Sequence, residues 1–303
     1  MIREFYRPRN VEEALALRKQ GGVFLAGGTQ INRNTGGISA GLASGITGTE
    51  AEGGIYPGLP DPGPEMEAIY LEPLGLKGVE PAGPAGPTGT ASLAGGFLIG
   101  ALTTLQELAD DSRLPRALRQ AAGFIPSRSV RNMATLGGNI AAAQPDSYLI
   151  PVLLALDARL HTAGGRGIPV MTLEEYLARP GEELIIQAEI PPAAGVCLAV
   201  KESRSHVAPP YVSAGVRILL EGGKVTQARL ALGCGCLGPM AARLREVESW
   251  LEGQPLPELE ELESRIRRLI SPPGDIWGSR EYKIRVNAAL TARAVLIAAA
   301  GEV

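Results

Sequence analysis

The sequence predicts an α+β protein made of two domains, residues 1–190 and residues 195–303. Two observations carry this prediction. Short helices and short apolar strands alternate as far as Ile190, where Pro191-Pro192 stops the last strand. Beyond these prolines strands come first and helices follow, which is the order of a small α+β domain.

The first domain is predicted to begin with a capped helix and a buried strand. Asn10 can cap a helix over Val11–Gln20, and Val23–Ala26 forms the strand. Thr103 or Thr104 can cap a later helix in the same way. The other predicted elements are strands at Ala68–Leu74, Phe97–Gly100, Arg159–Thr162 and Leu184–Ile190, and helices at Leu105–Asp110, Leu114–Ala122, Leu149–Leu156 and Leu173–Ala178.

The second domain is predicted to contain an antiparallel sheet covered by helices. The turn Glu221–Lys224 contains two glycines between apolar runs, which indicates a β-hairpin. The predicted strands are Val196–Lys201, Val212–Leu219 and Val225–Leu232, and the predicted helices are Met240–Leu251, Leu256–Ile270 and Ser279–Ala300.

Composition and charge exclude several classes of protein. The net charge is -3 and no Lys/Arg run occurs, so no nucleic-acid partner is expected. The longest apolar runs are too short to span a bilayer, so no membrane association is expected. The 3 cysteines do not form a disulfide framework, which favours a reducing, cytoplasmic location.

One stretch of the first domain, residues 34–64, is predicted to be a Gly/Pro-rich insertion. It has nine glycines and four prolines and no periodicity, which indicates a long surface excursion. Pro81–Gly89 is a second, shorter stretch of this kind. Both are expected to be either mobile or used for a partner.

Two glycine pairs are the candidate functional features. Gly27-Gly28 follows the strand Val23–Ala26 and leads into Thr29 and Gln30. The run Thr135–Asn139 is predicted to be a strand end followed by a tight turn. Paired glycines allow positive φ and close backbone approach, and successive N–H groups in such turns bind anions. The two turns together predict a site for a phosphate-bearing cofactor.

The run Gly233–Gly238, GCGCLG, is the main rival motif. It matches the dinucleotide fingerprint, but the parallel strand that completes a βαβ unit does not follow. Cys234 and Cys236, with Cys197, are one ligand short of a structural zinc or iron–sulfur site, so core cysteines are expected.

No catalytic side chain and no metal site is predicted anywhere in the sequence. His161 and His206 provide no triad, and Gly37–Gly41 lacks the strand and helix that flank a nucleophilic serine. If the protein is an enzyme, a cofactor therefore carries the chemistry.

Five motifs, two of which contain the glycine pairs, resemble one known family. These are FLAGGT at 24–29, SRSVRNMATLGGNI at 127–140, IGALTTL at 99–105, PVLLALDA at 151–158 and DIWGSREY at 275–282. They resemble the FAD-binding subunit of the molybdenum hydroxylases, the xanthine dehydrogenase and carbon monoxide dehydrogenase family. The resemblance covers nearly the whole chain. The second motif resembles in particular a subgroup that accompanies selenium-dependent hydroxylases.

The resemblance implies a two-subdomain FAD-binding fold of the vanillyl-alcohol oxidase type, plus a small C-terminal α+β flavoprotein domain. FAD would lie between the subdomains, with its diphosphate on the backbone of Ala26–Gln30 and Thr135–Asn139, and with Lys201 near the flavin end. The implied cofactor-binding residues are Phe24, Leu25, Ala26, Gly27, Gly28, Thr29, Gln30, Ile125, Thr135, Leu136, Gly137, Gly138, Asn139, Ile185 and Lys201.

One position departs from the family pattern. The family often has an Asp where this chain has Tyr148, and Asp146 lies two residues earlier. Either Asp146 reaches the same group, or this flavin contact is absent.

The resemblance implies an FAD-carrying electron-transfer subunit. A molybdenum-cofactor subunit would oxidise a heterocyclic substrate, a [2Fe–2S] subunit would deliver the electrons, and NAD or another acceptor would receive them. Two alternatives stay open at this point: a flavin-free structural subunit of the same complex, and an autonomous NAD-binding enzyme that uses Gly233–Gly238.

Overall fold

A computed structural model of the chain describes residues 2–29, 66–82, 96–164, 170–180 and 183–301. The insertion at residues 34–64 and most of Pro81–Gly89 therefore lie outside the described residues, as does Gln30. The chain divides into two compact units, Met1–Gly75 and Leu76–Val303. The boundary predicted at Pro191-Pro192 lies inside the second unit and stays a prediction.

The first unit is a small parallel sheet with one helix. Its elements are β1 (Ile2–Tyr6), α1 (Val11–Lys19), β2 (Val23–Leu25) and β3 (Met66–Tyr70), and the strand order is β1-β3-β2. Asn10 caps α1 as predicted, because its Oδ1 accepts a hydrogen bond of 2.8 Å from the Glu13 amide. The strand predicted to continue to Leu74 ends at Tyr70, and a 3-10 turn follows it.

The first part of the second unit is a five-stranded antiparallel sheet with helices packed against it. The strand order is β4-β5-β8-β6-β7. Its strands are β4 (Val79–Pro81), β5 (Phe97–Gly100), β6 (Arg159–Ala163), β7 (Val170–Thr172) and β8 (Leu184–Ile190). Its helices are α2 (Leu105–Asp110), α3 (Arg116–Gly123), α4 (Arg128–Met133), α5 (Leu136–Ala142), α6 (Leu149–Ala155) and α7 (Leu173–Leu177).

The second part is a four-stranded antiparallel sheet of order β12-β11-β10-β9. Its elements are β9 (Val196–Ser203), β10 (Pro210–Glu221), β11 (Lys224–Leu232), β12 (Ala242–Arg243), α8 (Arg245–Leu251), α9 (Leu259–Leu269) and α10 (Arg280–Ala300). The predicted hairpin turn is confirmed, with φ values of 58° at Gly222 and 77° at Gly223. The helix predicted to begin at Met240 instead begins at Arg245, because β12 occupies the intervening residues.

The two parts of the second unit meet through the apolar helix α6. All seven of its residues are buried, and one of its neighbours is β10. Gly215 on β10 allows this approach, since a Cβ there would lie 2.3 Å from the Pro151 carbonyl oxygen. A continuous core of buried residues thereby extends from β5 to α6, and a second core lies between β10, β11 and the C-terminal helices.

Candidate functional site

The first glycine pair follows β2 in the first unit. Phe24 and Leu25 end the strand half-buried, and the Cζ of Arg18 lies 5.6 Å from the centre of the Phe24 ring. Ala26 and Gly27 form a bend, and Gly28 adopts a φ of 68°. A β-carbon would be strained at that φ, so the glycine is used here as the sequence predicted.

The second glycine pair has a different structure from the one predicted. Thr135 is the N-cap of α5, so Gly137 and Gly138 lie in the first turn of a helix and not in a tight turn. The Leu136 amide donates to the Thr103 carbonyl oxygen and the Gly137 amide to the Ala101 carbonyl oxygen. The expected concavity of free N–H groups is therefore wrong for these amides, which are satisfied within the chain.

Gly137 is required for packing and not for a turn. A Cβ at this position would lie 2.7 Å from the Ala101 Cβ and 3.0 Å from the Ala101 carbonyl oxygen. The absence of a side chain thus lets α5 lie directly against the end of β5. The close approach that the sequence predicted exists, but its partner is another segment of the chain.

Asn139 begins a hydrogen-bond relay between the two parts of the second unit. Its Oδ1 accepts a bond of 2.7 Å from the Ser147 hydroxyl. The Ser147 carbonyl in turn accepts a bond of 2.8 Å from the Ser213 hydroxyl on β10. The side-chain carbonyl of Asn139 is therefore held in place, which leaves its NH₂ group available to a ligand.

Lys201 is held against two aromatic rings. Its Nζ lies 5.2 Å from the centre of the Tyr148 ring and 5.6 Å from the centre of the Phe124 ring, and it donates to the Phe124 carbonyl oxygen at 3.2 Å. The two rings pack edge to face, with centres 5.6 Å apart. We call Phe124, Tyr148 and Lys201 the lysine cage. In this cage the Lys201 ammonium is held by two aromatic ring faces and by the dipole of the Phe124 carbonyl group.

No acidic side chain in the described part of the chain forms an ion pair with Lys201. Burial lowers the pKa of its ammonium group, because water is partly excluded from the charge. The lysine cage therefore presents a half-buried donor whose charge is not neutralised. Carbonyl oxygens or a ring nitrogen of a bound ligand would be suitable acceptors.

Ile125 and Ile185 belong to the same apolar cluster as Tyr148 and Phe124 of the lysine cage. Ile125 follows Phe124 directly, is half-buried, and its carbonyl oxygen accepts a hydrogen bond from Arg131. Ile185 lies in β8 with only 5% of its surface exposed, so its side chain belongs to the core. Asp146 is half-buried and lies near Cys234.

The rival fingerprint Gly233–Gly238 is a connecting turn. Cys234 and Gly235 have φ values of 55° and 74°, and the Cys234 amide donates to the Pro145 carbonyl oxygen at 2.6 Å. The element that follows is β12, which pairs antiparallel with β11, and not a helix. The dinucleotide interpretation of this motif is therefore wrong, since a phosphate would need a helix N-terminus here.

Of the three cysteines, Cys236 is a buried core residue, whereas Cys197 and Cys234 keep part of their surface exposed. Burial raises the pKa of the Cys197 and Cys236 thiols to about 12, and it also raises the pKa of Cys234. In the described residues, no group of three or more His, Cys, Asp or Glu is arranged to hold a metal ion. None of the described helices has the length and apolar character needed to cross a membrane.

Sequence reasoning missed the partners of Lys201. The sequence predicts no role for Phe124, and Tyr148 stands out only as a departure from the family pattern. Two aromatic residues that flank apolar helices could have been a signal for a cation site. Their distances in sequence from Lys201 give no spacing rule that would join them.

Comparisons with known proteins agree over the whole chain. Residues 89–193 match the FAD binding domain in molybdopterin dehydrogenase, and residues 200–298 match the CO dehydrogenase flavoprotein C-terminal domain. The chain is 34% identical to the uncharacterized protein YgfM of Escherichia coli K12 over 296 residues, which is 96% of this chain and 95% of that protein. It is 25% identical to the xanthine dehydrogenase FAD-binding subunit of Escherichia coli O157:H7, over 68% of this chain and 76% of the relative.

Solved structures show the same fold. Carbon monoxide dehydrogenase from Hydrogenophaga pseudoflava superposes with a TM-score of 0.78 at 21% identity, over 100% of this chain and 98% of that chain. Quinoline 2-oxidoreductase from Pseudomonas putida 86 superposes with a TM-score of 0.76 at 19% identity, over 99% and 97% of the two chains. These likenesses confirm the predicted α+β fold with a flavoprotein C-terminal domain.

Proposed function

Because the chain belongs to the FAD-binding subunits of the molybdenum hydroxylase family, we propose that it binds FAD and transfers electrons within such an oxidoreductase. The observation that carries the proposal is the order of the two matched domains. One chain contains the FAD-binding domain followed by the flavoprotein C-terminal domain, and a 34% identical relative covers both. When bound, FAD accepts two electrons and releases them singly or as a hydride.

The lysine cage supports a flavin as the ligand. Lys201 offers an ammonium donor that is partly shielded from water and has no carboxylate partner among the described residues. A donor of this kind suits the carbonyl oxygens and ring nitrogens of an electron-accepting heterocycle. Tyr148 takes part by holding the cation with its ring face, so the substitution for the family's Asp leaves the positive charge of Lys201 unneutralised.

Each glycine pair is proposed by itself as a cofactor contact. We propose diphosphate contacts at Ala26–Gln30 in the first unit and, independently, at Gly138 and Asn139 in the second unit. In the second segment the Asn139 NH₂ group takes the place of the free amides that the sequence predicted, because the Leu136 and Gly137 amides bond within the chain. Thr29 and Phe24 belong to the first segment, and Ile125 lies beside the lysine cage.

The proposal includes a cytoplasmic complex with two partner subunits. A molybdenum-cofactor subunit would oxidise the substrate, and a [2Fe–2S] subunit would deliver electrons to this chain. NAD or another acceptor would receive the electrons. The rival fingerprint takes no part, because it is a turn closed by its own hydrogen bonds.

The test is the flavin content of matched glycine variants. The purified wild-type chain should show absorbance bands near about 375 and 450 nm and should release FAD and not FMN. Gly138→Asp should lose the bands, since it places a carboxylate beside the diphosphate. Gly222→Asp is the control, because Gly222 lies in an open hairpin turn with no atom within 4 Å of an added Cβ.

Two outcomes would contradict the proposal. Full flavin occupancy in Gly138→Asp would remove the second segment from the site. A colourless wild-type chain that still co-purifies with iron–sulfur and molybdenum subunits would instead make it a structural subunit.

A further inference from the structure

A cavity lies at the N-terminal end of α10, against the end of the C-terminal sheet. The cavity has a volume of about 490 Å³, and the residues that line it include Arg204, Tyr211, Trp277 and Tyr282. This volume falls in the range of small-molecule sites, about 300–1,000 Å³. The lysine cage does not line it, so the cavity is separate from the proposed flavin contact.

Aromatic rings form the walls of this cavity. Tyr211 is buried, and its ring packs edge to face with Tyr282, with centres 5.6 Å apart. The Tyr282 hydroxyl lies 3.3 Å from the Tyr211 hydroxyl. Trp277 is half-buried beside them. Ring faces held in this way suit a planar, apolar ligand body.

The Trp277 wall is fixed by a closed turn. The Asp275 and Gly278 backbones exchange two hydrogen bonds of 3.1 and 3.2 Å. The Asp275 carboxylate accepts from the Trp277 amide at 2.9 Å and pairs with the buried Lys283 ammonium at 2.6 Å. Asp275 is therefore already neutralised, and it presents no free negative charge to a ligand.

Arg204 is the charged residue of the cavity lining that has no ion pair within the described part of the chain, and the nearby Glu202 carboxylate accepts from the Tyr211 hydroxyl at 3.5 Å. Among the described residues, no acidic side chain pairs with the exposed Arg204 guanidinium, and no acceptor takes the Trp277 indole N–H. Two donors of the cavity, the Arg204 guanidinium and the Trp277 indole N–H, thus have no acceptor among the described residues. An anionic group on the ligand would satisfy Arg204, because guanidinium binds carboxylate and phosphate oxygens with two parallel bonds.

We propose that this cavity is a second ligand site, which binds a small planar aromatic compound that bears a carboxylate or a phosphate. The aromatic body lies among Trp277, Tyr211 and Tyr282, and the anion lies against Arg204. The proposal goes beyond electron transfer, since the site uses none of the residues assigned to the flavin.

Trp277 provides a direct readout. The chain contains 2 tryptophans, and Trp250 is the other, with the Arg265 Cζ 4.5 Å from its ring centre. In a Trp250→Phe background the fluorescence therefore reports on Trp277 alone. The probes are two matched pairs: benzoate with benzamide, and AMP with adenosine. The two members of a pair share the same ring, but only benzoate and AMP carry a negative charge. Comparing the two pairs distinguishes a carboxylate from a phosphate ligand.

The expected result is saturable quenching by at least one anionic probe, with its neutral partner binding about tenfold more weakly. Arg204→Gln should weaken the anion about tenfold and leave the neutral partner unchanged. Tyr282→Leu should weaken both members of the pair, because it removes a ring face. Arg267→Gln is the matched control, since Arg267 is an exposed arginine that pairs with Glu263 on α9.

Three results would overturn the proposal. The first is equal binding of charged and neutral probes, and the second is an unchanged affinity in Arg204→Gln. The third is loss of quenching when the chain is titrated within its co-purified complex, which would make the cavity a subunit contact. Flavin content is measured in the same samples. Because flavin content tests the proposed function and quenching of Trp277 tests the cavity, a failure of one proposal can be distinguished from a failure of the other.

Discussion

Lys201 illustrates how one charged side chain can depend on distant rings. Its ammonium lies over Phe124 and Tyr148, and burial lowers its pKa. A lysine whose pKa is lower in the folded state binds its proton more weakly there than in the unfolded chain. The unfolded chain then carries more protons at pH values between the folded pKa and about 10.4, so stability rises with pH in this window.

Lys201→Met removes this titration. We expect the unfolding free energy of the wild type, relative to that of the variant, to increase between pH 7 and pH 10. Urea unfolding at the two pH values measures the change. Lys224→Met, in the exposed hairpin turn, is the surface control. An equal pH dependence in both variants would mean that the lysine cage does not perturb Lys201.

Gly137 tests whether close packing explains the second glycine pair. Gly137→Ala places a Cβ 2.7 Å from the Ala101 Cβ, and we expect a loss of about 1–3 kcal/mol in unfolding free energy. Gly123→Ala is the control, because Gly123 ends α3 with no atom within 4 Å of an added Cβ. The unfolding free energy of Gly123→Ala should rise by up to about 1 kcal/mol, since alanine favours helix. Equal effects in chemical denaturation would contradict the packing explanation.

The same positions show what local sequence can predict. The cap at Asn10 follows from the sequence, and the second cap is one of the two predicted threonines, Thr104, because a short polar side chain before an apolar period is a local signal. Gly137 and Gly138 are predicted in a turn, because paired glycines allow positive φ and close backbone approach. Packing against Ala101 overrides this preference, and sequence gives no sign of that partner.

At the scale of elements, Asp157 joins the end of α6 to the C-terminal sheet. Its carboxylate accepts from Arg217 on β10, from Arg229 on β11 at 3.2 Å and from Arg243 on β12 at 3.1 Å. Arg217 and Arg243 are 3% and 8% exposed, so their charges depend on this partner and on Glu248. Asp157 has a φ of 53°, which Asp tolerates better than most residues.

Asp157→Asn should therefore loosen the contact between α6 and three strands at once. We expect a loss of about 2 kcal/mol, below the range for fully buried pairs because Asp157 is 34% exposed. Urea denaturation measures it. Glu263→Gln, which removes an exposed pair on α9, should cost at most about 0.5 kcal/mol. A similarly small loss of unfolding free energy in Asp157→Asn and Glu263→Gln would show that the arginines around Asp157 find other partners.

Elements were predicted better than their contacts. The antiparallel strands of the C-terminal sheet and its hairpin turn follow from apolar periodicity and from a glycine pair. The two-residue strand β12 was absorbed into a helix, because so short an element leaves no period. The contacts of Asp157 join residues 60 to 86 positions apart, and charge alone did not select them.

For the whole molecule, ligand binding should appear as thermal stability. A flavin that binds only the folded chain stabilises it by about 2.7 kcal/mol at a free concentration 100 times the Kd. We expect added FAD to raise the melting temperature of the wild type and of Gly222→Asp, and to leave Gly138→Asp unchanged. Differential scanning fluorimetry without FAD shows first whether each variant folds. A rise in Gly138→Asp would contradict the proposed site.

The overall fold followed from family motifs and not from periodicity alone. The motifs at 24–29 and 127–140 identify both glycine pairs, and the matched domains confirm the family. The sequence could not predict the cavity at the N-terminal end of α10. Its walls come from the β9–β10 loop, from Tyr211 on β10 and from the start of α10, and Tyr211 and Tyr282 are some 70 positions apart.

The raised pKa values of the thiols make the protein convenient to label. All three cysteines have pKa values raised by burial, so little reactive thiolate is present at neutral pH. A new cysteine at the open Gly222 turn would react with a maleimide far faster than the native ones. A dye or spin probe could then be attached at one chosen point, without first replacing any natural residue.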